Sequence, residues 1–80
     1  MKILARNLSR KTTEDELRLL FESYGEVTSL NLVYDSGTNK SKGFGFVEMP
    51  VLSEAMEAIK EINGQNIAGN RIRVKEAVDK

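Results

Sequence analysis

Apolar and polar residues alternate with period two along four stretches of the chain and recur at helical spacing along two others. Near the N-terminus, Ile3 and Ala5 fall on one side and Lys2, Leu4 and Arg6 on the other, which predicts a half-buried strand over residues 2–7. Thr13 then opens a helix. Thr13-Glu14-Asp15-Glu16 forms a capping box, in which the Thr13 oxygen and the Glu16 carboxylate accept from free backbone N–H groups. Leu17, Leu20, Phe21 and Tyr24 supply its buried stripe, and Gly25 is expected to end it in the left-handed conformation. A second strand is predicted over residues 27–34, with Leu30 and Leu32 opposed to Ser29, Asn31 and Val33. Asp35-Ser36-Gly37-Thr38-Asn39 is turn chemistry, and residues 42–49 form a third strand that Pro50 stops. Ser53 is the expected N-cap of a second helix reaching Asn63, with Ala55, Met56, Ile59 and Ile62 apolar and Gly64 at its end. Arg71, Ile72, Arg73, Val74 and Lys75 alternate as a fourth strand.

The order βαββαβ predicts an α+β, ferredoxin-like sandwich: a four-stranded antiparallel sheet with two helices on one face. Both crossovers are right-handed, which sends both helices to the same side and leaves the other side bare. Alternation says which residues lie there. In the third strand, Lys42, Phe44, Phe46 and Glu48 share one face, and Gly43, Gly45, Val47 and Met49 the other. Turning the phenylalanines inward would carry Lys42 and Glu48 inward too, at the cost of burying charge without partners. The phenylalanines are therefore expected outside. The same logic puts Lys2, Leu4, Arg6, Val33, Arg71, Arg73 and Lys75 on the bare face with them.

Composition narrows the chemistry. Eighty residues make one domain, 1–80, and 40% hydrophobic with 30% charged residues suits a folded chain. The apolar runs are too short to span a membrane or serve as a signal peptide, so the expected setting is cytoplasmic. With neither cysteine nor histidine, disulfides, soft-metal sites and imidazole acid–base catalysis are excluded, and no cofactor is expected. The net charge is zero, but it is divided unevenly: the two helices hold seven acids against two bases, and the rest of the chain ten bases against five acids. Local potential, rather than total charge, steers a charged ligand. Two phenylalanines left in water each forgo roughly 1.5–3 kcal/mol of burial. Among cations, on a flat sheet, they suggest a platform for stacking nucleobases while the bases of the protein hold phosphates.

The segment Lys42-Gly43-Phe44-Gly45-Phe46-Val47-Glu48-Met49 resembles the eight-residue motif of the RNA recognition motif, fitting seven of eight positions with Met49 in place of the last aromatic. Ile3-Leu4-Ala5-Arg6-Asn7-Leu8 is similar to that family's six-residue motif, and Tyr24-Gly25 and Asn63-Gly64 extend the likeness along the whole chain. The small single-domain form resembles the RNA-binding proteins of bacteria and cyanobacteria. The resemblance implies that Phe46 and Leu4 each cover a base, that Phe44 packs against sugars, that Lys42 meets a phosphate, and that Arg73, Lys75 and the backbone near Ala77 add contacts; Arg6, on the same bare face by alternation, is a further candidate contact. The resemblance also implies binding of single-stranded RNA, with single-stranded DNA the other candidate, and neither a small-molecule substrate nor a membrane; nothing in the sequence demands a dimer, and a monomer is expected. Leu4 departs from the family, which has an aromatic there.

Two other functions compete. A protein-interaction module on the same fold has no need of the exposed Phe44 and Phe46. An acyl-phosphate hydrolase of ferredoxin-like fold would use an anion-binding loop, and Arg6, Asn7 and Arg10 lie near one, but Asn7-Leu8-Ser9-Arg10-Lys11-Thr12 lacks the glycine-containing pattern such a loop needs. Glu48 is expected to be a bystander or a weak specificity contact, and the acidic helix residues solubilising.

Overall fold

Four strands of the chain join one antiparallel sheet, and their order is not the order of the sequence. The computed structural model describes residues 1–77; the last three residues of the expected domain, 78–80, lie outside the described residues. The elements are β1 (Lys2–Arg6), α1 (Glu14–Glu22), β2 (Ser29–Tyr34), β3 (Ser41–Glu48), α2 (Leu52–Ile62), β4 (Asn66–Ile67), β5 (Asn70–Arg71) and β6 (Arg73–Glu76). The sheet runs β2-β3-β1-β6, and β4 and β5 form a separate hairpin. Each helix therefore crosses over one intervening strand, as a ferredoxin-like fold requires.

The core lies between the sheet and the helices. Ile3 and Ala5 of β1, Leu30 and Leu32 of β2, Val47 of β3 and Val74 of β6 meet Leu17 and Phe21 of α1 and Ala55, Ala58 and Ile62 of α2. Leu20, Tyr24 and Ile59 pack at its margin. Met56 does not: it is 57% exposed, and Ala58 takes its expected place. Small residues at 55 and 58 let α2 approach the sheet closely, and Met56 falls beyond the stripe they define.

Local chemistry explains most element ends. At α1 the expected capping box forms: Thr13 Oγ1 accepts from the Glu16 N–H at 3.2 Å, and Glu16 Oε1 accepts from the Thr13 N–H at 3.0 Å. The C-terminus differs from expectation. Ser23 caps α1 with its N–H directed back at Leu19 and Phe21, and Gly25 does not take a positive φ. Glycine is needed there for space, since a Cβ would lie 2.3 Å from Glu54 Oε1, the atom that accepts from the Glu26 N–H. The start of α2 also differs. Ser53 lies inside the helix, and the N-cap is Val51, whose side chain can accept nothing. Gly64, at φ 91°, does end α2 in the left-handed conformation.

The expected fourth strand divides. Arg71 pairs with Asn66 in the β4–β5 hairpin, and only Arg73–Glu76 joins the sheet. Ile72 separates the two pieces by donating its N–H to Gln65 O at 2.8 Å and accepting from the Gly64 N–H at 2.8 Å. Alternation continues through this break, so the sequence pattern does not reveal it. Two acids expected to solubilise the helices also hold backbone: Glu54 as above, and Glu14, whose Oε2 accepts from the Leu32 N–H at 3.0 Å.

Candidate functional site

Among the described residues, none forms a layer over the face of the sheet away from the helices. In β3, Ser41, Gly43, Gly45 and Val47 are buried, while Phe44 and Phe46 are half-exposed and Lys42 and Glu48 exposed. Strand pairing arranges this face in rows. Asn31, Phe46, Leu4 and Lys75 stand side by side across β2, β3, β1 and β6. Ser29, Glu48 and Lys2 form the next row, and Arg6 faces Arg73 on the far side of Leu4. All seven expected site residues thus share one face, whereas Arg71, in the hairpin, leaves the sheet.

A bulge shapes one end of the platform. Between the Leu32↔Gly45 and Tyr34↔Ser41 pairs, β3 uses more residues than β2, so the register shifts. Gly43 sits in this interval at φ 83°, a conformation that disfavours a side chain, and its carbonyl accepts from the Leu8 N–H at 2.8 Å. Phe44 follows directly. Its ring meets that of Phe46 edge-to-face, with centroids 6.3 Å apart and planes at 88°. The two rings therefore present different surfaces: one can lie under a base while the other borders the neighbouring sugar.

Phe46 already holds a cation. Lys2 Nζ stands 5.1 Å from the ring centroid. An exposed cation–π contact is worth roughly 0.5–1 kcal/mol, and base–aromatic stacking about 1–3 kcal/mol. A nucleobase can thus displace the ammonium from the ring.

The remaining cations flank the rows. Arg6, Arg73 and Lys75 border a shallow cleft of about 150 Å³ together with Asn63, whose Oδ1 is occupied by the Val74 N–H at 2.9 Å. Like charges placed opposite each other across strands repel, and an anion between Arg6 and Arg73 relieves that repulsion. Lys42 and Phe44 border two depressions, of about 390 and 540 Å³, that share Arg10; Arg6 also lines the smaller and Asp35 the larger. Lys40 lines the larger one. Sequence reasoning did not assign Arg10 and Lys40 to this face, because loop residues have no period from which to read direction. Their positive charge next to a strand end was the available signal.

Asn7 has a structural task. It adopts φ 58°, and its Nδ2 donates to the Arg71 carbonyl at 2.7 Å, tying the end of β1 to the hairpin. One of the two amide N–H groups is thereby committed to the backbone.

Known proteins are similar to this chain in sequence and fold. Glycine-rich RNA-binding protein 1 of Mycosarcoma maydis is 42% identical over 76 residues, which is 95% of this chain and 43% of that protein. Transformer-2 protein homolog alpha of Mus musculus is 41% identical over 73 residues, 91% of this chain and 26% of that protein. The chain thus spans less than half the length of these curated relatives. The crystal structure of RNA Binding Protein PG1 superposes with a TM-score of 0.95 at 40% identity, covering 100% of this chain and 96% of that one. Residues 3–73 match the family described as RNA recognition motif, and with the βαββαβ sandwich and its aromatic third strand already evident, the chain belongs to the RNA recognition motif family.

Proposed function

We propose that the open sheet face binds single-stranded RNA without catalysing a reaction on it, as a monomer in the cytoplasm and in the compact manner of the small bacterial-type members of the family. Phe46 and Leu4 each support a base, Phe44 packs between nucleotides, and Arg6, Lys42, Arg73 and Lys75 hold phosphates. Single-stranded DNA can use the same stacking surfaces, and discrimination against it depends on contacts to the 2′-hydroxyl. The observation that carries this reading is the half-exposure of Phe44 and Phe46 on a face whose other charged strand residues among those described, Glu48 apart, are cations. Water gives no reason to leave two rings out of a core; a stacked base does.

The test is an NMR titration with short RNAs of random sequence. Shifts centred on Phe44, Phe46 and Arg73 are expected, and shifts confined to the helices would sink the proposal. Phe46→Ala should weaken binding about tenfold, matching the loss of one stack of ~1–3 kcal/mol.

One observation favours a second reading, a protein-interaction module. Leu8, Leu17, Leu20, Ile67 and Ile72 line an apolar groove of about 360 Å³ between α1 and the hairpin, and Leu19 beside it is 67% exposed. Protein partners captured in an RNA-independent way, with no NMR shift on adding RNA, would favour that reading over RNA binding.

A further inference from the structure

Stacking on a phenyl ring accepts any base, so selectivity at Phe46 has to come from hydrogen bonds at the edge of that base. Two exposed polar side chains border the ring. Asn31 lies directly across from Phe46 on β2, and Glu48 lies two residues along β3 on the same face. Among the described residues, the Asn31 amide N–H2 group donates only to Ser29 Oγ, at 3.5 Å, the outer limit of a hydrogen bond. Among the described strand residues of this face, Glu48 is an acid among cations, where it repels the phosphates those cations attract. Its cross-strand neighbour Lys2 has its ammonium over Phe46, in the place a base would take.

An ionised carboxylate only accepts hydrogen bonds, through two oxygens side by side. Among the four bases, guanine alone offers two adjacent donors, N1–H and the N2 amine, next to an acceptor, O6. The uracil N3–H lies between two carbonyls, and the amino groups of adenine and cytosine lie beside a ring-nitrogen lone pair, so each of these bases would set a lone pair against one carboxylate oxygen. We propose that Phe46 is the floor of a guanine subsite, in which Glu48 accepts from N1–H and the N2 amine and Asn31 donates to O6. This rests on the reading of the sheet as an RNA platform and adds a base identity to it.

Fluorescence anisotropy with three labelled RNAs separates the two claims: a uridine pentamer, the same pentamer with one central guanosine, and the same with inosine there. Inosine keeps N1–H and O6 but lacks the amine. The guanosine pentamer should bind about tenfold more tightly than the inosine one, as expected for one hydrogen bond to a charged acceptor. Glu48→Gln should bring that ratio to within about twofold while leaving the affinity for the uridine pentamer unchanged or slightly higher. If Glu48 served only to pair with Lys2, the substitution would move all three affinities together and leave the ratio intact, which overturns the subsite. A wild-type ratio near one, with Phe46→Ala weakening all three RNAs, overturns it too and leaves the platform standing. If wild-type protein binds none of the three, or Phe46→Ala changes none, the platform fails and the guanine subsite with it.

Discussion

Leu4 stands directly across from Phe46, at a position where the family commonly has an aromatic ring. Leucine covers a base through apolar contact alone and has no π-face. Leu4→Tyr should therefore tighten RNA binding several-fold, since a second stack is worth ~1–3 kcal/mol; unchanged or weaker binding in an anisotropy titration would remove Leu4 from the site. Gly45 is needed for a different reason. A Cβ there would lie 2.6 Å from the Asn31 carbonyl oxygen, which is backbone and cannot turn aside. Gly45→Ala should cost about 1–3 kcal/mol in urea unfolding, the usual range for overpacking. Period two was enough to direct Phe44 and Phe46 outward, because Lys42 and Glu48 accompany them. It could not reveal that Lys2 lies over a ring or that Arg10 borders the platform, since both depend on where a long side chain or a loop goes.

The two helices begin differently, and the difference is measurable. Thr13 caps α1 with both bonds of a capping box, so Thr13→Ala should lower stability by about 1 kcal/mol. Val51 caps α2 with no side-chain bond, although its backbone, at φ −94° and ψ 114°, is already in the extended region that capping side chains use. It is 41% exposed, so little packing is lost on replacement. Val51→Ser should raise stability by roughly 0.5–1 kcal/mol in thermal or urea unfolding. The misplacement of this cap at Ser53 has a plain cause: residue type suggests a serine, while Pro50 and the descent from β3 start the helix earlier. Elements with strong periodicity were legible in the sequence to within a residue or two. The β4–β5 hairpin was not, because it interrupts an alternation that runs on unbroken from Arg71 to Lys75. Gly25 shows the same limit, since its glycine answers to Glu54, a residue from the other helix.

At the scale of the whole molecule, charge is separated rather than absent. Both helices are acidic, the sheet face is basic, and the net charge is zero. Each phosphate neutralised on single-stranded RNA contributes about 0.7 to the slope of log affinity against log salt. Contacts from Arg6, Lys42, Arg73 and Lys75 together predict a slope of about −3. Arg73→Ala should make it shallower by about 0.7, whereas Glu57→Gln on the outer surface of α2 should leave it unchanged. A slope that ignored Arg73 would take β6 out of the interface.

The same separation bears on crowding. A strongly cationic binder adds its own repulsion to each neighbour that joins it on a strand. A molecule that places its positive side on the RNA and turns its negative side to solvent brings no net charge to the assembly. Successive copies along one strand would therefore meet with little mutual repulsion, and the coated RNA would keep a negative outer surface.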